Sequence, residues 1–178
     1  MPSLTELKEQ ALNLFRDDRL AEAAERFGAA AEAFTAQGDR GAAAEMMNNV
    51  GVVRLAQKDW DAARAAVEGT PDDFRALGDP LREAQALSNL AAAHDGAGHL
   101  DQAAALYEQA IELFRYLGET ENRAACWKAL SALQVKQGNK MQALASMHSG
   151  LNLASDLSPR EKTLKGLLDR AMKMLGGQ

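Results

Sequence analysis

Four segments of this chain repeat on a period of forty residues, with no insertion or deletion between one segment and the next. The repeat shows in two series of small residues: Ala11, Gly51, Ala91 and Ser131, and Ala23, Ala63, Ala103 and Ala143. A third series is aromatic, at Phe34, Phe74 and Phe114. A period of this length is typical of a solenoid, in which each unit buries its apolar face against its neighbours.

Each unit is predicted to contain two helices, because apolar residues recur at helical spacing on both sides of a central break. The first helices are expected at 4–17, 41–57, 81–96 and 121–137, and the second at 20–36, 60–76, 100–117 and 140–156. We therefore predict an all-α, right-handed solenoid of four helical hairpins. Its units would span residues 1–38, 39–78, 79–118 and 119–157.

Residues at the expected helix ends support this division. Ser3 and Glu6 form a capping box, and Asp79 before Pro80 places a cap residue ahead of a proline at the first helical position. Glycine recurs where a helix C-terminus favours a left-handed residue. These glycines are Gly38, Gly78 and Gly118.

One segment conflicts with a continuous helix. In the second unit, Pro71 follows Gly69 and Thr70 inside the predicted second helix, where proline loses a hydrogen bond and clashes with the preceding turn. Thr70 followed by proline and two acids also reads as a new helix start. We expect a kink, or a break with a short second helix capped by Thr70 and reaching about Leu77.

The segment 158–178 leaves the repeat. Ser158 and Glu161 form another capping box, and Gly176 and Gly177 are expected to end the helix that follows. Solenoids need a terminal cap with a polar outer face, and this helix fits that role. The helix is also basic and amphipathic, which leaves open an anionic membrane or partner.

Composition and spacing argue against several functions. The net charge of −5 disfavours nucleic acid, and the single Cys126 is interpreted as a buried thiol. The chain shows no signal-peptide pattern at its start and no apolar run long enough for a membrane span, so we expect a cytoplasmic protein. His94 and His99 lie five apart with a turn between them, and no metal or phosphate motif appears. We expect no catalysis, no cofactor and no metal.

Residues 1–157 resemble the tetratricopeptide repeat, whose pattern places Trp, Leu-Gly and Tyr on the first helix and Ala and Phe on the second. The fourth unit has Trp127, Leu130 and Ser131 in its first helix, and Ala143 and Met147 in its second. Forty residues exceed the family's usual unit of about 34. The chain is similar to the long-unit branch, which includes the kinesin light chain and polarity adaptors. The resemblance implies a non-catalytic adaptor or scaffold that binds peptides in a groove lined by the first helices.

The resemblance also implies which residues line that groove. They are Lys8, Leu12 and Phe15 in the first unit, Asn48, Asn49, Val52 and Leu55 in the second, Gln85, Asn89 and Ala92 in the third, and Lys128, Val135 and Lys136 in the fourth. Asn49 and Asn89 stand one unit apart, and equivalent asparagines in long-unit members hydrogen-bond an extended peptide. An amide suits this role because it offers a donor and an acceptor. Polar residues on a wet surface are the alternative.

The expected ligand follows from these positions. An apolar floor with cations at both ends predicts a peptide or protein segment that is apolar in its middle and tolerates acids near its ends. The clamp that some family members use for the acidic tail of heat-shock chaperones is incomplete. Leu12, Gln85 and Asn89 stand where asparagine, lysine and arginine would be needed. Self-association, through solenoid ends or the groove, is the alternative function.

Overall fold

The structure, a computed structural model, describes residues 4–176, and this range contains ten helices and no strand. The helices are α1 (Leu4–Arg16), α2 (Leu20–Ala36), α3 (Arg40–Ala56), α4 (Trp60–Val67), α5 (Thr70–Ala76), α6 (Pro80–Gly96), α7 (Leu100–Leu117), α8 (Thr120–Lys136), α9 (Lys140–Leu153) and α10 (Pro159–Gly176). The predicted all-α class is confirmed. The predicted cap at Ser3 and the predicted end at Gly177 lie outside the described residues.

Helix ends recur every twenty residues, which is half the period seen in the sequence. The backbone φ is positive at each of these positions: Asp18, Gly38, Lys58, Gly78, Gly98, Gly118 and Gly138. Two backbone hydrogen bonds close the turn at Gly78. The N–H of Gly78 donates to Arg75 O at 3.1 Å, and the N–H of Asp79 donates to Phe74 O at 3.0 Å. These bonds satisfy carbonyl groups that the helix end leaves open.

Aspartate side chains cap the starts of α3, α4 and α6. Asp39 accepts a hydrogen bond from the N–H of Ala42 at 2.9 Å, and Asp79 accepts one from Arg82 N at 3.0 Å. Asp59 does the same for α4. The predicted cap at Asp79 is confirmed, and the two others occupy the same place in the twenty-residue step.

The expected break divides the second helix of the second repeat, residues 39–78, into α4 and α5. Thr70 was expected to cap the new helix, and this expectation was wrong. Gly69 occupies the N-cap position without a side-chain bond, and the buried hydroxyl of Thr70 instead donates to Val67 O at 2.9 Å. The hydroxyl therefore satisfies a carbonyl at the end of α4.

Two ion pairs fix the short α5 to its neighbours. Arg75 donates to the buried carboxylate of Glu83 in α6, with Nε–Oε1 at 2.8 Å, and Arg40 of α3 donates to Asp73 at the same distance. The pairing with the Arg75 guanidinium gives the buried Glu83 side chain a hydrogen-bonding partner. The restarted helix thus contacts both α3 and α6.

Contacts divide the chain into two compact units, Met1–Leu106 and Tyr107–Gln178, with the division inside α7. In the first unit, α3 is central and contacts α2, α4, α5 and α6. Its core includes Ala11, Ala23, Phe27, Ala30, Met46 and Val53. At the crossing of α3 and α4, a methyl group added to Gly51 would overlap Val67. The close approach of the two helices depends on this glycine.

In the second compact unit, Tyr107–Gln178, helix α9 packs against both α8 and α10. The hydroxyl of Ser131 in α8 donates to Ala143 O in α9 at 2.7 Å, and Ser146 donates to the side chain of Gln134 at 2.8 Å. Leu168 of α10 is buried. The predicted unit boundaries, including a cap at 158–178, stay predictions. No helix between residues 4 and 176 is long and apolar enough to cross a membrane.

Candidate peptide-binding site

The predicted groove residues within the compact unit Met1–Leu106 lie on α1, α3 and α6, which are the first helices of their hairpins. All of them are half-buried except the exposed Gln85. The set comprises Lys8, Leu12, Phe15, Asn48, Asn49, Val52, Leu55, Gln85, Asn89 and Ala92. We call this set the first-helix face. Partial burial of both apolar and polar members suits a surface that contacts a ligand.

A carboxylate on α3 connects cations from both neighbouring helices. Glu45 pairs with Lys8 of α1 at 2.5 Å between Oε1 and Nζ, and its other oxygen lies 3.6 Å from Arg82 of α6. The positive charge of Lys8, expected to meet an acidic end of the ligand, is therefore balanced within the chain. The first-helix face has mixed charge at this point.

An amide pair joins α3 to α6. Asn89 Nδ2 donates to Asn48 Oδ1 at 3.1 Å. The expected roles of Asn49 and Asn89 as peptide-binding residues stay a prediction, and the side chain that Asn89 contacts is that of Asn48. One donor and one acceptor are used in this contact, so the pair keeps the Asn48 amide nitrogen and the Asn89 carbonyl oxygen for a ligand.

A recess of about 190 Å³ opens beside the amide pair. It is lined by Glu45, Asn48, Asn49, Phe74, Arg82 and Gln85. The guanidinium of Arg82 lies 5.9 Å from the ring centre of the buried Phe74. This volume is below the usual range of about 300–1,000 Å³ for small-molecule pockets, so the recess matches a single side chain.

Sequence reasoning missed two lining residues of this recess. Phe74 belongs to the aromatic series of the repeat and is buried, but its ring also forms part of the recess wall. Arg82 lies near the start of α6, before the predicted groove positions. Phe74 lies on the short α5, and the repeat marks its position without indicating that its ring lines a recess.

The predicted groove residues of α8 belong to the second compact unit, Tyr107–Gln178. Lys128 donates to Glu161 Oε1 of α10 at 2.7 Å. This hydrogen bond, with those from Ser158, lowers the pKa of Glu161 to about 2. Lys128 thus ties α8 to α10, while Val135 and Lys136 are exposed.

A larger recess of about 520 Å³ lies where α4 gives way to α5. It is lined by Thr35, Gly38, Arg40, Ala43, Ala44, Met47, Ala66, Gly69, Thr70 and Asp73. None of the predicted groove residues is among them. The recess accompanies the helix break and does not belong to the first-helix face.

His94 and His99 meet across the turn between α6 and α7, although their spacing was expected to keep them apart. Their Nδ1 atoms are 3.4 Å apart. Partial burial, followed by the positive charges of His99 and Arg64, lowers the pKa of His94. Among residues 4–176, no group of three or more His, Cys, Asp or Glu side chains is arranged to hold a metal ion.

Solved structures of other proteins have a similar fold. A crystal structure of BtubC (BKLC) from P. vanneervenii superposes with a TM-score of 0.77 at 18% identity, covering 88% of this chain and 66% of BtubC. A double mutant of MamA, MamA RS-1 ArsTM, gives a TM-score of 0.65 at 18% identity, covering 86% of this chain and 79% of MamA. The chain thus spans just under two thirds of the length of BtubC. Both relatives are helical-repeat proteins.

The fold is tetratricopeptide-like. At 18% identity, this likeness concerns the fold alone. No protein-family model matches the chain, and no curated protein matches it.

Proposed function

We propose that this chain is a cytoplasmic, non-catalytic adaptor or scaffold of the long-unit tetratricopeptide type, and that its first-helix face binds an extended peptide segment. The main support is the Asn48–Asn89 pair beside a recess of side-chain size. The two features lie together on α3 and α6. A backbone-binding amide next to a side-chain pocket is the combination that recognition of an extended peptide needs.

The chemistry of the face suggests the peptide's composition. Leu12, Phe15, Val52 and Leu55 are half-buried apolar residues that can pack against an apolar peptide centre. Lys8 is already paired with Glu45. We therefore propose that apolar side chains contribute most of the affinity, and that acidic ends contribute less than the sequence predicted. The residues on α8 remain a separate prediction.

The experiment is a peptide library screen followed by fluorescence anisotropy on the selected peptides. Asn48→Ala combined with Asn89→Ala should weaken binding by roughly tenfold or more, because a bound backbone group loses its partner. Asn152→Ala, an exposed asparagine on α9, is the matched control and should bind as the wild type does. Unchanged affinity of the double variant, with its helical circular dichroism intact, would contradict the proposal.

Self-association is the second candidate, and exposed apolar side chains in the second unit favour it. They lie on α9 and α10 and comprise Met141, Leu144, Leu164, Leu167, Met172 and Met174. Leu167 is 57% exposed and Met174 is 85% exposed. Apolar side chains grouped on a surface are typical of protein–protein contacts. Light scattering after size-exclusion chromatography should show an oligomer that Leu167→Glu dissociates, whereas a monomer at every concentration would exclude this candidate.

A further inference from the structure

Two imidazole rings converge at the turn between α6 and α7. Helix α6 ends at Gly96, Gly98 has a φ of 84°, and the N–H of His99 returns to His94 O at 2.9 Å. This turn places the two ring centres 5.5 Å apart and tilted by 53°. The Nδ1 atoms approach to 3.4 Å, so the same nitrogen of each ring faces the other.

This separation suits two ligands of one metal ion. Zinc–imidazole bonds are about 2.0–2.1 Å long, so two nitrogens 3.4 Å apart subtend an angle of about 110° at a shared ion. That angle is close to tetrahedral, which is the geometry zinc prefers. We propose that His94 and His99 bind Zn²⁺ through their Nδ1 atoms, with water completing the coordination.

The chemistry of the two ligands selects the class of metal. Neutral imidazole suits Zn²⁺, Cu²⁺ and Ni²⁺, whereas Mg²⁺ and Ca²⁺ prefer oxygen ligands. His94 is half-buried and His99 is exposed, so a hydrated ion can reach both rings.

The surroundings hold the turn in place, and a recess adjoins one of the two rings. A methyl group added to Gly96 would overlap the ring of Trp60, so the end of α6 lies directly against α4. A recess of about 480 Å³ adjoins His99 and is lined by Lys58, Asp59, Trp60, Asp61, Gly96, Ala97 and His99. Near His94, the charge of Arg64 opposes a cation, and Glu68, 3.7 Å from Arg64, offsets it.

The third histidine provides a matched control. His148 Nε2 lies 2.7 Å from Asp169 Oδ1, so its ring is held by a carboxylate in the second unit. No other histidine ring pairs with it in the described range. A substitution at His148 therefore removes one imidazole from the chain without touching the proposed site.

The test is a titration of the full chain, without a histidine tag, with ZnCl₂ in an isothermal calorimeter. One ion should bind per chain, and His94→Gln or His99→Gln should each weaken binding by about tenfold or more. His148→Gln should bind as the wild type does. Nitrogen NMR of the wild-type rings should show the zinc-induced shift on Nδ1.

Three results would overturn the proposal: no zinc binding, binding that survives both substitutions, or binding lost with His148→Gln. Circular dichroism checks that each variant keeps its helices. The site is independent of the proposed peptide-binding face. The Asn48→Ala/Asn89→Ala variant should therefore bind zinc normally.

Discussion

The two compact units build the same helix crossing with different chemistry. Gly51 in α3 and Ser131 in α8 occupy equivalent places in the repeat, and both are buried. At Gly51 the missing side chain leaves room for Val67, whereas Ser131 fits a side chain whose hydroxyl donates to Ala143 O. The crossing therefore requires a small residue, and the facing side chain decides how small it must be.

Gly51→Ala is expected to change the free energy of unfolding the most. The new methyl would overlap Val67, which is fully buried and has no space to move. Overpacking of about 3 kcal/mol, less about 1 kcal/mol gained in helix propensity, should lower the free energy of unfolding by about 2 kcal/mol. Urea denaturation followed by circular dichroism measures this change.

Gly28→Ala is the matched control for that experiment. Gly28 lies in α2, and nothing lies within 4 Å of where its methyl would be. This substitution should stabilise the chain by up to about 1 kcal/mol. Val67→Ala should relieve the Gly51→Ala defect in the double variant. If Gly51→Ala were as stabilising as Gly28→Ala, the close crossing of α3 and α4 would be wrong.

Ser131→Ala tests the other side of the comparison. The new methyl fits where the serine side chain already stands, but the hydrogen bond to Ala143 O is lost. The free energy of unfolding should fall by about 1 kcal/mol. Ser149→Ala is the control, because the Ser149 hydroxyl donates only to Ala145 O of its own helix. Equal midpoints for the two serine variants would argue against the contact between α8 and α9.

A substitution at a turn should change the free energy of unfolding by a smaller amount. Lys58 in the first unit adopts a φ of 59°, and the equivalent place of the repeat in the second unit holds Gly138 at 81°. A left-handed conformation costs a residue other than glycine about 1–2 kcal/mol. Because glycine also gains entropy in the unfolded chain, Lys58→Gly should stabilise by only about 0.5 kcal/mol. A lower urea midpoint for this variant would contradict the turn geometry.

The smallest effect concerns acid, because the ion pair involved is partly exposed and such pairs contribute little. The pKa of Glu161 is lowered from 4.5 to about 2 by its hydrogen bonds with Lys128 and Ser158. Its contribution is fully present above pH 4.5, declines as the pH falls, and is absent below about pH 2. Glu161→Gln should reduce the loss of stability across this window.

Urea midpoints measured at intervals between pH 5 and pH 2 test this prediction. Glu112→Gln, in the exposed pair with Arg115 on α7, is the control that removes a carboxylate elsewhere in the chain. If the two variants gave the same curve, the contact between α8 and α10 would not contribute to acid stability.

The sequence predicted the helices well because their limits depend on local chemistry. Predicted and observed helix ends agree within three residues, and the break at Gly69 was expected from Pro71. The helix limits placed turns at 18–19 and 58–59, but glycine spacing did not mark a left-handed residue there, because those positions hold Asp18 and Lys58.

The candidate site was harder to predict, because side-chain partners depend on neighbouring helices. The repeat gives Asn49 and Asn89 equivalent positions, whereas the contact between Asn48 and Asn89 depends on how α3 packs on α6. Lys128 was expected to face a ligand, but its partner Glu161 lies outside the repeat. The histidines meet only because the turn between α6 and α7 folds back. None of these contacts follows from a periodic pattern.

The twenty-residue step has a consequence for how this chain could change in length. A residue inserted within a helix rotates everything after it by about 100°, so the apolar stripe downstream would no longer face its neighbour. Connections such as residues 37–39 and 57–59 are too short to absorb that rotation. Single insertions and deletions should therefore be tolerated only in the longer segment 154–158, and elsewhere the chain can lengthen or shorten only by whole hairpins.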